Sequence, residues 1–473
     1  MGTTHGQLLN FTPAQQAAID SRGNVLVMAG AGTGKTRTLV ERCLRRLLDP
    51  QDAISLDAVL MVTFTEAAAA EMRKRIRDSL EAELDRQADP SRLLEQLALL
   101  DAAQISTLHS FCLELVRQNF YALELDPQLT VLAEDQAQML AAEILEELLN
   151  DHYAGRAPNA AAVQELIQVH SHGWDEPIRE LILQLHEYTQ TRPDPAGWFQ
   201  REIDRFSQPE PAHWRRWLIE GFAAWRELWV PVLRAQPAEN VNAHKCADLL
   251  AAATLPLIGG KGRGEGAGFD ERGRTLLPPT SPPQGSGSGI PGLTTANSLA
   301  ATLAALLAQD TAWPTKKKTA FRKPLEKFIE DARFLNSLMP DAACPDPLAE
   351  DWGWIRHHMA ALLQLAREFT QRFGAAKRER GALDFHDLEQ FALRLLWNFT
   401  TRQPTALATE WRERFELVFV DEYQDINEAQ DGILTALGRD VARANRFLVG
   451  DVKQSIYRFR QANPRIFQGD AER

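Results

Sequence analysis

The stretch NVLVMAGAGTGKTRTLVERCLRRLL, Asn24–Leu48, decides the fold class. An apolar strand pattern runs into the small-residue turn AGAGTGKT, Ala29–Thr36, and an amphipathic helix pattern follows. Outward from this unit, short apolar runs recur at 58–63, 104–107, 417–420 and 446–449. The first two lead into helix-like segments, 66–80 and 110–119, and the last two end at acidic or Gly-Asp turns. Strands alternating with helices imply a parallel sheet with crossover helices, an α/β fold.

Between these blocks, from about Leu125 to Glu368, strand patterns nearly vanish and helical ones such as 134–149 and 351–369 dominate. The expected organisation is therefore a first motor part over 1–124, a mostly helical insertion over 125–368, and a second motor part over 369–473. Within the insertion, 258–296 is crowded with Gly, Pro and Ser, a composition that buries too little apolar surface to offset its ordering entropy, and reads as a flexible loop. Lys316–Lys318 is a local positive run, either a solvated surface or a phosphate contact.

Composition bounds the function classes. At 473 residues the chain has room for two to four domains, and 44% hydrophobic with 25% charged residues is an ordinary globular balance. A net charge of −12 would repel a polyanion if spread evenly, so nucleic-acid binding has to come from local basic or stacking surfaces. Cys43, Cys112, Cys246 and Cys344 lie far apart, which suggests neither a zinc site nor a disulfide framework. With no signal-peptide pattern in Met1–Asn10 and no apolar run of spanning length, the expected location is cytoplasmic, without a membrane.

Ala29, Gly30, Ala31, Gly32, Thr33, Gly34, Lys35 and Thr36 form a phosphate-binding loop between strand and helix, with Ala29 where the strict pattern has glycine. Small residues let consecutive N–H groups curl around phosphate oxygens at the helix N-terminus. Lys35 would neutralise the β- and γ-phosphates of ATP and the Thr36 hydroxyl would coordinate Mg2+. VFVDEYQD supplies the acids such a loop needs: Asp421 to hold Mg2+ and Glu422 to orient and deprotonate the attacking water. Paired acids after a strand also suit a helix N-terminus, and the loop tips that balance towards catalysis.

In chain order, FTPAQ (Phe11–Gln15), AGAGTGKT, VTFTEAAAAEM (Val62–Met72), ISTLHSF (Ile105–Phe111), LDFHDL (Leu383–Leu388), VDEYQDIN (Val420–Asn427) and GDVKQSIYRFRQA (Gly450–Ala462) resemble the signature motifs of UvrD/Rep-type superfamily 1 DNA helicases. The last two are most similar to the AddA-type helicase–nuclease branch. The motifs span both α/β blocks, while the middle insertion carries almost none of the resemblance. The resemblance implies a RecA-like P-loop NTPase fold and an ATP-dependent, 3′-to-5′ translocase on single-stranded DNA in double-strand-break repair and recombination. The partners it implies are single- and double-stranded DNA and a second protein of AddB type.

By the same resemblance Gln15 would read the adenine edge, Arg37 would reach nucleotide phosphate, Gln454 would sense the γ-phosphate, and Arg460 would add positive charge nearby. Single-stranded DNA would meet Phe64, Thr65, His109, Tyr457 and Phe459, the last replacing a tryptophan of UvrD-type proteins. Aromatic faces stack on bases without sequence preference, as a translocating motor needs. Phe64 and Phe459 also suit a hydrophobic core, and Lys377 and Arg380 are read equally as a solvated basic face or as phosphate contacts. The chain stops at Arg473 without the arginine motifs of a second motor domain or a nuclease motif, so a portion of a larger protein is expected. Such a fragment would bind ATP and single-stranded DNA but unwind poorly. A non-motor module with a nucleotide-gated affinity for nucleic acid is the main alternative, and a small-molecule phosphotransferase a more remote one.

Overall fold

The computed structural model describes residues 11–30, 32–49, 54–84, 90–253, 291–310, 313, 317–341, 344–439, 443–451, 453 and 463–471, with backbone alone at 291–297 and 464. Its strands are β1 Val25–Met28, β2 Val59–Thr63, β3 Gln104–Thr107, β4 Thr130–Val131, β5 Ala382–Leu383, β6 Trp397–Asn398, β7 Gln403–Pro404, β8 Leu417–Val420 and β9 Arg446–Gly450. Five of them form one sheet in the order β1-β9-β8-β2-β3, and every pairing is parallel. All five C-terminal ends therefore lie along one edge, where ligands of open α/β sheets bind.

The alternation along β8 shows how the sheet is held. Leu417 and Phe419 join a core with Leu39, Leu47, Met72 and Ile76 of the helices Lys35–Leu47 and Glu66–Leu84. Val418 and Val420 join the opposite core with Phe111, Leu388, Leu393 and Leu434 of the helices Leu108–Gln118, Phe385–Leu396 and Glu428–Leu437. Successive side chains point to opposite faces, so a strand covered on both sides reads as a continuous apolar run. Each fully buried Leu, Val or Phe contributes about 1.5–3 kcal/mol.

The chain forms two compact units, Met1–Gln200 with Leu363–Arg473, and Arg201–Leu362. The helices Glu134–Tyr153, Ala160–Ser171 and Glu176–Gln190 thus fall with the sheet-bearing unit, so the helical stretch expected as one insertion over 125–368 is divided. The entry and exit of the stretch are tied by β4 and β5, which pair in parallel with Thr130 opposite Ala382. Arg372 of the returning helix Pro347–Glu379 reaches Asp151 at 2.7 Å.

In the second unit, Phe222, Trp225, Leu250, Leu303 and Phe328 form a separate core, with Trp225 stacked on Phe328 at 5.0 Å. The loop expected over 258–296 is corrected at its end: a helix runs from Pro291 to Gln309. Proline suits the first helical position and the Ala- and Leu-rich run behind it has high helix propensity. Residues 258–290 lie outside the described residues. Lys317 is exposed and pairs with Glu239, as a solvated charge does.

Candidate functional site

The loop after β1 turns through Gly32 at φ 72° and Gly34 at φ 83°, the left-handed region that glycine adopts without strain. Ala29 is outside that region, which explains why alanine is tolerated there. Thr33 closes the turn, its Oγ1 donating to Gly30 O at 2.7 Å. Lys35 is the first residue of its helix and is nearly buried.

β1 and β8 are separated by β9, about 10 Å at the usual strand spacing. Lys35 closes that gap: its Nζ lies 2.8 Å from Glu422 Oε2 although the two residues are 387 positions apart. Glu422 itself sits at φ 51°, in the left-handed region a non-glycine residue occupies only at a cost of about 1–3 kcal/mol. Its N–H donates to Asp421 Oδ1 at 3.1 Å. Burial first, then the charge of Glu422, push the Asp421 carboxyl up to about 6, with Lys35 opposing.

Gln424, which the motif reading did not single out, joins this strand end to the next. Its Nε2 donates to Glu422 Oε2 at 2.8 Å, and its Oε1 accepts from Asp451 N at 2.9 Å after β9. Gly450 makes room for that bridge, since a Cβ there would lie 2.4 Å from Gln424 Oε1 and 2.8 Å from Phe467 Cε2. The position of Gln424 in VDEYQD was the available signal. What the sequence could not show is that its amide reaches across two strands.

Gln15 lies against the loop. Its Nε2 donates to Thr33 O at 2.8 Å and its Oε1 accepts from Thr12 N at 2.8 Å, closing the capping box of helix Pro13–Asp20. An amide has two donors and two lone pairs, so one of each remains for an adenine edge. Arg42, also unassigned from sequence, pins the other end of that helix by donating to Ala18 O at 2.8 Å and Ile19 O at 3.1 Å. The Arg37 guanidinium lies 4.6 Å from the centre of the Phe11 ring. Thr36 follows Lys35 in the first helical turn.

Two strands further along the same edge, Phe64 is half-buried and Thr65 exposed after β2, where Thr65 Oγ1 accepts from Ala68 N at 3.1 Å and so caps helix Glu66–Leu84. His109 follows β3, its Nε2 2.8 Å from Glu389 Oε1. Glu66 links the two loops, accepting from Thr107 Oγ1 at 2.9 Å and Ser110 Oγ at 2.6 Å. Ala31, Gln454, Tyr457, Phe459 and Arg460 lie outside the described residues.

One expectation is corrected. Lys377 is neither a solvated face nor a phosphate contact: it is buried, 2.6 Å from both Asp384 Oδ2 and Asp387 Oδ2, with its ammonium 4.3 Å from the Phe373 ring centre. Arg380 is exposed and pairs with Glu143 at 3.1 Å. On a helix packed on several sides, charge in the sequence does not reveal which lysine faces a carboxylate pair.

The UvrD/REP helicase N-terminal domain family matches residues 11–208 and 295–473, both α/β blocks and the helices flanking them. The chain belongs to the UvrD/Rep helicase family. Its parallel sheet is thus the RecA-like P-loop fold of that family. The UvrD/Rep match also takes in 125–208 and 295–368, more of the helical stretch than the motifs alone had marked. Relatives named as ATP-dependent helicase/nuclease subunits (AddA) include that of Desulfitobacterium hafniense, 34% identical over 97% of this chain and 32% of its own length. That of Geobacillus thermodenitrificans is 34% identical over 97% of this chain and 36% of its own length, and that of Moorella thermoacetica 36% identical over 97% and 32%. The chain spans about a third of the length of the curated relatives it matches.

Proposed function

We propose that this chain carries the ATP-binding and hydrolysing half of a motor that translocates 3′-to-5′ along single-stranded DNA during double-strand-break repair and recombination. The single observation that carries the reading is the meeting of Lys35 Nζ and Glu422 Oε2 at 2.8 Å, with Asp421 beside them on the edge where the P-loop opens. The names of the relatives support helicase and nuclease activity in a complex of subunits. From the family we further propose a cytoplasmic location and an AddB-type partner. Among the described residues no helix is long and apolar enough to cross a membrane.

Lys35 exchanges Glu422 for the β- and γ-phosphates when nucleotide enters, and the released carboxylate orients the attacking water and takes its proton. Gln424 holds that carboxylate towards Asp451 throughout. Asp421 and the Thr36 hydroxyl suit Mg2+: both are hard oxygen donors, and a buried carboxylate whose proton is held up to about 6 beside a second acid is one that a cation relieves. Bound there, the ion would neutralise charge on the phosphate oxygens. Gln15 contacts the base, and Arg37 the phosphates. From the family, Gln454 senses the γ-phosphate and Arg460 supplies charge, while Tyr457 and Phe459 join Phe64, Thr65 and His109 in meeting the strand.

The test is steady-state ATP hydrolysis by the full-length natural protein, with and without oligothymidylate, for wild type, Lys35→Ala and Glu422→Gln. DNA-stimulated turnover should vanish in both variants. Stimulated turnover left intact by both would overturn the assignment.

A further inference from the structure

Glu389 is a buried carboxylate that the helicase motifs leave without a role. It lies one turn beyond Phe385 on helix Phe385–Leu396 and is 1% exposed, among the buried Leu388, Ala392 and Leu393. Three donors from separate segments converge on it. Oε1 accepts from His109 Nε2 at 2.8 Å and from Gln430 Nε2 at 2.6 Å, and Oε2 accepts from Asn427 Nδ2 at 3.1 Å. Burial opposes ionisation, yet the hydrogen bond and charge of His109, with lesser help from His386 and Gln430, hold the carboxyl below the ordinary glutamate range. A carboxylate only accepts, so His109 Nε2 carries a proton and the ring orientation is set by Glu389.

The three donors belong to the two sites already described. Asn427 caps helix Glu428–Leu437 by accepting from Gln430 N at 2.8 Å, and Gln430 Oε1 accepts from Asn427 N at 3.1 Å. This closed box is the direct continuation of the 421–425 segment, in which Gln424 ties Glu422 to Asp451. On its other side Glu389 meets His109, whose ring lies 5.0 Å from that of Phe385, an aromatic side chain 48% exposed. A shift of the 421–427 segment therefore cannot leave the His109 ring undisturbed without breaking a hydrogen bond to a buried charge, which is costly.

We propose that Glu389 is a positioning residue coupling the two ligand sites: through Asn427 and Gln430 it follows the acidic segment beside the nucleotide, and through His109 it aims the ring that meets single-stranded DNA. The inference rests on the proposed function in that both ligands must bind this chain. Glu389→Gln keeps the size but replaces an acceptor oxygen with a donor, so that at least one of the three converging donors meets another donor.

The experiment measures fluorescence anisotropy of labelled oligothymidylate on the chain, with and without saturating Mg2+ and a non-hydrolysable ATP analogue. A parallel titration with a fluorescent ATP analogue is made in the absence of DNA. In wild type the nucleotide should change the DNA Kd by about 5- to 150-fold. In Glu389→Gln that ratio should fall to about one while DNA-free nucleotide affinity stays within about twofold. His109→Gln should also bring the ratio to about one, and the double variant should lose no more than either single variant, because both cut the same link. Should Glu389→Gln fail to fold, the His109→Gln ratio carries the test.

A wild-type ratio retained in Glu389→Gln would overturn the inference, as would both affinities and the melting temperature falling together, the mark of a purely structural staple. A wild type that binds both ligands without coupling would overturn it too. A wild type that binds neither ligand would instead sink the proposed function, and the inference with it.

Discussion

Lys35 Nζ and Glu422 Oε2 lie 2.8 Å apart, so the cation of the phosphate loop already rests on the acid proposed to activate water. The Lys35 side chain is 8% exposed and that of Glu422 36%, so the lysine depends on this partner more than the acid does. Removing the acid charge alone leaves a buried ammonium seeking an anion, and nucleotide phosphate is one. Glu422→Gln should therefore bind a fluorescent ATP analogue at least as tightly as wild type, while hydrolysis falls by about 100- to 10,000-fold. Equal loss of binding and turnover would contradict the division of roles.

The pH dependence follows from Asp421, whose carboxyl is pushed up to about 6 from an ordinary 3.8 by burial and by Glu422. The folded chain holds this proton more tightly than the unfolded chain. The group is neutral in stability below about pH 4, increasingly unfavourable between about pH 4 and 6, and fully so above, by on the order of 3 kcal/mol. Asp421→Asn should melt higher than wild type at pH 7.5 and match it near pH 4. It should also lose the extra stabilisation that Mg2+ with nucleotide gives the wild type, an effect that itself weakens in wild type as pH falls through about 6. Thermal melts across this range decide it, and identical profiles for the two proteins would count against the reading.

Gly450 faces Gln424 and Phe467 at distances no side chain fits. Gly450→Ala should destabilise by about 1–3 kcal/mol through overpacking, read in urea unfolding, and should lower hydrolysis more than nucleotide affinity because the Gln424 bridge to Glu422 is displaced. A variant as stable and active as wild type would show that the bridge is dispensable.

Lys377 lies between Asp384 and Asp387, whose own carboxyls diverge: Asp384 is held low against its burial by Lys377, while burial and then Asp384 push Asp387 up to about 6. Lys377→Met leaves two buried acids without their cation and should cost about 3–5 kcal/mol in urea unfolding. Arg380→Met, at an exposed pair, should cost about 1 kcal/mol or less. If Lys377 instead touched phosphate, its removal would leave stability unchanged and reduce the salt dependence of DNA binding.

The strands of the sheet were legible because their signal is local. Val25–Met28, Gln104–Thr107 and Leu417–Val420 are apolar runs bounded by turn residues, and the P-loop shows as small residues before GKT. The helical start at Pro291 was not, because proline and glycine mark a loop and a helix N-terminus alike. The sequence by itself determined an α/β nucleotide-binding fold and the segments that meet its ligands, since periodicity and turn chemistry act over a few residues. Only the tertiary structure decided which polar groups meet. The 387-residue separation of Lys35 and Glu422, the burial of Lys377 between two acids, and the three donors on Glu389 all follow from packing, which the order of residues along the chain does not display.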